Sequence, residues 1–253
     1  MTFVQHYSGS GGNLYEVTAN SGKRLLIECG VTWSKLQKAL NYNVNGIVGC
    51  LVTHEHQDHS KAIKEIMRAG IDVYASKGTA DALSITGRKV NVVSDKTLIR
   101  LKDFDVLCFG INHDAAEPLG FVIRADNEFL FFATDTSHIK QRFKYPFTLI
   151  AIECGYDRDV LEHRLYTDED QLKEEGLTKV NETLAKRLLT SHMEKQEAMR
   201  YLQQFVDLSK CREIHLLHMS GDNIDKAQAK KEFEERFFIE TRIVESAYIN
   251  HRI

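Results

Sequence analysis

The sequence predicts an α/β (α+β) protein in which two sheets pack face to face with helices on the outside. Three observations carry this. Short apolar runs rich in Val, Ile, Leu and Phe recur through the first half, punctuated by glycine and asparagine turns. A long charged stretch of helical spacing follows, from about Val160 to Leu208. Strand and helix patterns then return before the end. With 253 residues, only Pro118 and Pro146 as prolines, and no repeat or low-complexity linker, the expected organisation is a single domain over residues 1–253. Its mainly helical part spans about 159–208.

Taken in order, FVQHY, NLYEVTA and KRLLIEC read as strands, joined by the glycine turn at Gly9 to Gly12 and by Asn20-Ser21-Gly22. WSKLQKAL reads as a helix and GIVGCLVT as a buried strand. SKAIKEIMRAG has helical spacing and stops at Gly70. IDVYA, KVNVV, FDVLCFGI, LGFVIRA and EFLFFAT follow as strands, the last two joined by a hairpin-like turn at Asp126-Asn127. TLIAIEC and REIHLLH are strands on either side of the helical stretch. The helix DKAQAKKEFEERF and the short strands IETRIV and AYINH close the chain.

The totals exclude several classes. A net charge of -3 with mixed signs argues against a surface that is basic all over, and leaves room for a local basic rim. Cys29, Cys50, Cys108, Cys154 and Cys211 are odd in number, widely spaced and mostly in apolar contexts. They read as reduced thiols of a cytoplasmic protein, not as a disulfide or Cys-zinc pattern. The opening MTFVQHYSGSGG has no charged region followed by a long apolar one, and no run of about 18 apolar residues occurs, so neither export nor a membrane partner is expected. A homodimer is compatible with these totals but not required by them.

The most informative stretch is LVTHEHQDHS, residues 51–60. It sits where a buried strand ends and a helix begins, a loop position at which a rigid scaffold holds binding groups. His54 and His56 alternate with Glu55, so in extended backbone they point the same way. Asp58 and His59 lie at the turn into the helix and can converge on a neighbouring point. Imidazole with carboxylate suits zinc, iron or manganese. At this chain's own residue frequencies, H-x-H-x-D-H arises by chance in roughly one such chain in a thousand.

A dinuclear site needs about six or seven ligands, and later strand ends supply candidates. His113 follows FDVLCFGIN, Asp135 follows EFLFFAT, and His218 ends REIHLLH. Each comes after an apolar run, so all can lie on one rim. Within HLLH, His218 is preferred to His215 because it lies at the strand's mouth, before the turn. His6, His138, His163 and His251 suggest no role.

These motifs together resemble the metallo-β-lactamase fold superfamily. SGSGGN, LLIECG, THEHQDHS, NHDAAEPLGF, ATDT, AIECGYD and HLLHMSGDN are similar in order and spacing to the YycJ/WalJ branch of DNA exonucleases, over nearly the whole chain. The resemblance implies a four-layer αββα sandwich with two divalent metal ions, Zn²⁺ or Mn²⁺, at one edge of the sheets. It implies that His54, His56 and His113 hold one metal, that Asp58, His59 and His218 hold the other, and that Asp135 bridges them. His192, in LLTSHMEKQEA, matches a family histidine near the substrate phosphate. The chain departs from the pattern at Glu28, where relatives usually have Asp, at Gly12, which replaces a serine, and at Tyr156, where histidine is common. The segment from Asp159 to about Leu189 also matches poorly.

The chemistry this implies is in-line displacement at phosphorus, with a metal-bridging hydroxide as nucleophile and two ions clamping both sides. Asp58 and His192 are the catalytic candidates, His192 as acid or as hydrogen-bond donor to the phosphate. Glu28, Asp114 and Glu153 are candidates to orient the imidazoles. Ser10, Gly11 and Asn13, with Ser8, Gly9 and Gly12, can form a turn whose backbone approaches phosphate. Lys140, with Arg142 and Lys144, could make a basic lip for a nucleic-acid backbone. The expected activity is a phosphodiesterase acting 5′ to 3′ on DNA ends. Alternatives are a cyclic-nucleotide phosphodiesterase of the anti-Pycsar kind, a carbonyl hydrolase of the glyoxalase II or lactamase type, and a metal-binding protein without turnover.

Overall fold

The central strands of both sheets are covered on both faces, which is why they read as unbroken apolar runs, whereas the edge strands alternate. The computed structural model describes residues 1–244, and the expected strand AYINH lies outside the described residues. The first sheet runs in chain order: β1 (Thr2–Tyr7), β2 (Leu14–Thr18), β3 (Arg24–Ile27), β4 (Ile47–Leu51), β5 (Val73–Ser76) and β6 (Val90–Val93). The second holds β7 (Leu98–Leu101), β8 (Phe104–Gly110), β9 (Leu119–Ala125), β10 (Glu128–Ala133), β11 (Leu149–Glu153), β12 (Glu213–Leu217) and β13 (Glu240–Ile243), also in sequential order. Each sheet is antiparallel where it begins and parallel where it ends, from β3 to β6 and from β10 to β13.

Side-chain alternation sorts the residues into layers. Tyr15, Val17, Leu25 and Ile27 of the first sheet meet Phe121, Ile123, Leu130 and Phe132 of the second in the central core. Their neighbours Leu14 and Leu26 point the other way, onto α1 (Trp33–Ala39), α2 (Gln57–Ser60), α3 (Ile63–Arg68) and α4 (Lys77–Ala82), whose Leu36, Ile63, Ile66 and Ala80 pack there. Two helices, α5 (Arg158–Tyr166) and α7 (Glu182–Ser191), with α6 (Glu169–Glu174) between them in the chain, form a small cluster of their own around Tyr156, Leu161, Val180, Ala185 and Leu188. On the outer face of the second sheet, α8 (Lys195–Phe205) and α9 (Lys226–Phe237) place Ala198, Met199, Leu202, Ala229 and Phe233 against Val122, Phe131, Ile150 and Ile152. The order helix, sheet, sheet, helix is the expected αββα sandwich. Burying each large side chain in these layers contributes roughly 1.5–3 kcal/mol.

The structure corrects some boundaries. The mainly helical stretch divides into four helices: α6 ends before Gly176, at φ 74°, and Asn181 caps α7 by accepting from the Leu184 N–H. The helix expected to begin at Ser60 starts at Gln57 and breaks between α2 and α3, where the Ala62 N–H donates to the Cys29 carbonyl. Neither β7 nor α4 is evident in the sequence, because LIRL and KGTADA are too short and polar to show a period. Among the described residues, no helix is long and apolar enough to cross a membrane.

Candidate metal centre

The parallel strands of both sheets end on one edge, and chemistry-bearing residues follow their C-terminal ends. Thr53 and His54 follow β4, Glu28 follows β3, Asp135 follows β10, Glu153 ends β11, and His218 follows β12. Asp135 and His218 turn into the cleft with φ of 49° each, and Glu28 turns behind them with φ of 65°. Non-glycine residues in this left-handed region cost roughly 1–2 kcal/mol each. Three such turns at one edge mark a place where side-chain direction outweighs backbone comfort.

Two donor groups converge there. In the first, Nδ1 of His56 lies 3.0 Å from Nε2 of His54 and 3.3 Å from Nε2 of His113. In the second, Nε2 of His59 lies 3.5 Å from Oδ2 of Asp58 and 3.2 Å from Oδ2 of Asp135. Nε2 of His218 lies 3.5 Å from Oδ2 of Asp58 and 3.7 Å from Oδ1 of Asp135. The Asp135 carboxylate stands between the groups, 3.9 Å from Nε2 of His54 and 3.7 Å from Nε2 of His113. Atoms bound at 2.0–2.1 Å around a tetrahedral ion stand roughly 3.3 Å apart, a spacing that both sets approach, so both suit divalent cations.

Hydrogen bonds settle which ring nitrogens face inward. The Thr53 hydroxyl donates to Oε1 of Glu28 at 2.5 Å, so at 2.9 Å it accepts from Nδ1 of His54 and leaves Nε2 as the inward lone pair. Nδ1 of His113 donates to the Ser191 carbonyl at 3.0 Å, with the same result. Glu28, fully buried, also lies 3.2 Å from Nδ1 of His59. Asp114 differs from expectation: it approaches the inward Nε2 of His113 at 3.2 Å, while the outer nitrogen is held by a backbone carbonyl.

The charges reinforce this arrangement. Burial pushes His54 and His113 down, keeping them neutral. Burial would raise Asp58 and Asp135, but His218 and His59 hold both well below the usual carboxylate range. His59 goes up despite burial because Asp135 and Glu28 flank it. Glu28 itself is raised by burial.

Glu153 and His192 form a further pair. Oε1 of Glu153 lies 2.6 Å from Nδ1 of His192, and Oε2 accepts from the Thr136 N–H at 2.5 Å. Burial alone would lower His192, yet Glu153 brings it up to about 9. Its ring stacks parallel to that of His218, centroids 5.2 Å apart. The cleft is a cavity of about 350 Å³ lined by His56, Asp58, Asp135, His192, His218, Ser10 and Ser220 on one side, and by Leu184, Arg187 and Leu188 of α7 on the other.

The glycine turn divides between two roles. Ser10 lines the cavity, and Gly11 is exposed. Asn13 is not among the residues lining the cavity, although its amide nitrogen lies 3.1 Å from Nε2 of His59. It is buried, and its amide donates to the Asp58 carbonyl at 3.1 Å while its carbonyl oxygen receives the Gly9 N–H and the Tyr15 hydroxyl. The Ser8 hydroxyl accepts from the His218 N–H at 2.8 Å. This turn therefore clamps the backbone of the loops that carry Asp58 and His218. Lys140 is exposed and does not line the cavity. His215 pairs with Gln5 and Glu213, away from the cleft. Sequence reading missed Arg187, the only lysine or arginine of the lining, and its apolar neighbours. Their i, i+3, i+4 spacing on α7 was the available signal, but nothing in it says which side the cleft lies on.

The family model described as Beta-lactamase superfamily domain matches residues 23–216. The chain is 28% identical over 240 residues to the exodeoxyribonuclease YycJ of Bacillus anthracis, covering 88% of this chain and 84% of that protein. It is 26% identical over 222 residues to the exodeoxyribonuclease WalJ of Streptococcus pneumoniae, covering 77% and 82%. In structure it is similar to the metallo-β-lactamase fold protein YhfI from Bacillus subtilis, with a TM-score of 0.72 at 16% identity over 97% of each chain, a likeness of fold. With a family match over most of its length and that fold around a His/Asp cluster, the chain belongs to the β-lactamase superfamily domain family as a metallo-β-lactamase-fold hydrolase.

Proposed function

We propose that the protein is a phosphodiesterase that removes nucleotides from DNA ends, 5′ to 3′, using two divalent ions, Zn²⁺ or Mn²⁺. The observation that carries this is the pair of donor sets joined through Asp135. In this reading His54, His56 and His113 would hold one ion, Asp58, His59 and His218 would hold the other, and the Asp135 carboxylate, near both sets, would serve either. When bound, such ions lower the pKa of water and stabilise charge on both sides of a displacement at phosphorus.

The chain's own groups do the rest. Nε2 of His192 faces the cleft with its proton held by the Glu153 charge, and passes that proton to the departing oxygen. Arg187 and the hydroxyls of Ser10 and Ser220 orient the phosphate, while Leu184 and Leu188 exclude water from the opposite wall. The relatives named exodeoxyribonucleases in Bacillus anthracis and Streptococcus pneumoniae support a DNA substrate. Five unbridged cysteines go with a cytoplasmic setting.

A cavity of about 350 Å³ has room for one nucleotide unit, which keeps a cyclic nucleotide as the second reading. The test is hydrolysis of bis(p-nitrophenyl) phosphate with Mn²⁺ or Zn²⁺, then end-labelled DNA against 3′,5′-cyclic nucleotides. Loss of labelled ends supports the nuclease. Turnover of cyclic nucleotides alone moves the assignment to the second reading, and no diester hydrolysis under either metal overturns both.

A further inference from the structure

We propose that the extended segment 139–145 is a docking strip for single-stranded nucleic acid outside the cleft, with Lys140, Arg142 and Lys144 on the phosphates and Tyr145 beneath a base. The proposal rests on the nuclease reading and adds where the rest of the polymer lies. The segment leaves the Asp135 loop without regular helix or strand, yet its side chains alternate. Ile139 is buried, Gln141 donates to the Gly110 carbonyl at 2.7 Å and accepts the Tyr201 hydroxyl on its own carbonyl, and Phe143 packs on Phe109 and Phe131. These inward anchors force Lys140, Arg142 and Lys144 outward, and all three are exposed.

None of the three is paired with a carboxylate among the described residues. Arg142 lays its guanidinium over the Phe205 ring at 4.3 Å, which holds the group in place while leaving its charge without a carboxylate partner. Alternate residues of an extended chain stand roughly 6.6 Å apart, a repeat that suits successive phosphates of an unwound strand better than one compact anion. Tyr145 follows. Its ring stacks on Phe129 with centroids 5.0 Å apart at 13°, and 37% of its surface meets solvent. The ring also lies against Phe143 and Phe147, centroids 6.4 and 6.1 Å away, so it is held in place while the part open to solvent can meet a base. The strip also passes the end of β8, whose following loop carries His113, so a strand lying on it leads to the cleft.

The test measures binding, not turnover. Affinity for fluorescein-labelled (dT)16 is titrated against KCl in EDTA for the full chain, for Lys140→Gln/Lys144→Gln, and for the triple variant with Arg142→Gln, with melting temperature as the check on folding. Single strands lose about 0.7 in the log-log salt slope per phosphate contact, so the triple variant should lose about 2 in slope and bind tens-fold more weakly near 0.15 M salt. Tyr145→Ala should weaken binding with the slope unchanged. Unaltered slope and affinity in folded variants would overturn the strip, as would preference for anionic vesicles over the oligonucleotide. Binding lost in the variants without any cleavage of DNA ends by the unaltered protein would keep the strip and sink the nuclease reading. Cleavage with an unaltered slope would do the reverse.

Discussion

Nδ1 of His192 lies 2.6 Å from Oε1 of Glu153, although the two residues come from the end of α7 and the end of β11. Glu153 is fully buried, and its other oxygen is taken by the Thr136 N–H, so the carboxylate is fixed before it meets the imidazole. Glu153→Gln removes the charge that keeps His192 protonated. The rate of diester hydrolysis should fall by about 10–100-fold, with metal content unchanged. Steady-state kinetics beside elemental analysis separate this from simple metal loss.

Glu28 stands one step behind the inward nitrogens of the cluster, through Thr53 to His54 and directly beside His59. Glu28→Gln keeps the size but weakens both contacts. We expect metal affinity to drop about 10–100-fold, measured by competition with a chromogenic chelator.

Gly30 allows the motif loop to close. A Cβ on Gly30 would stand 1.6 Å from the Asp58 carbonyl oxygen and 2.6 Å from the His59 backbone nitrogen. Backbone cannot yield as a flexible side chain can, so Gly30→Ala should cost about 3 kcal/mol and displace Asp58 and His59. Urea unfolding and metal titration of the variant should both change. A stable variant with normal metal affinity would contradict the close approach.

Glu16 sets an acid limit on stability. Burial would raise its carboxyl, but His6 and Arg24 hydrogen bonds bring it from 4.5 to about 2. A depressed folded value means the stabilisation is complete above about pH 4.5 and is lost as pH falls toward 2. Allowing for partial solvent screening, about 2 kcal/mol is at stake. Urea midpoints between pH 5 and 2.5 should fall less steeply for Glu16→Gln than for the unaltered chain.

Arg187 reaches the cavity and, among the described residues, its one ion pair is a long contact, 3.7 Å, to the half-exposed Asp114. A substrate phosphate can displace so weak a partner. Arg187→Ala should raise KM for an oligonucleotide about tenfold, and by more than it lowers kcat.

How much of this the sequence displays depends on where the information is stored. The H-x-H-x-D-H run is local, and His113, Asp135 and His218 each follow an apolar strand, so one rule about strand ends brings them together. The layer order likewise follows from doubly buried strands. The partners of His113 and His192 are different, because the Ser191 carbonyl and the Glu153 charge reach them only after α7 docks. The buried role of Asn13 depends on a turn touching a loop 45 residues away. Leu184, Arg187 and Leu188 read as an ordinary amphipathic helix until the sheet edge decides what they face.

Elemental analysis of the chain after equilibration with Zn²⁺ or Mn²⁺ and gel filtration tests the paired donor sets most directly. Two ions per chain are expected, with fewer than one in Asp135→Ala, because its carboxylate is the group near both sets. Less than one ion in the unaltered chain, or two retained without Asp135, would contradict the paired centre.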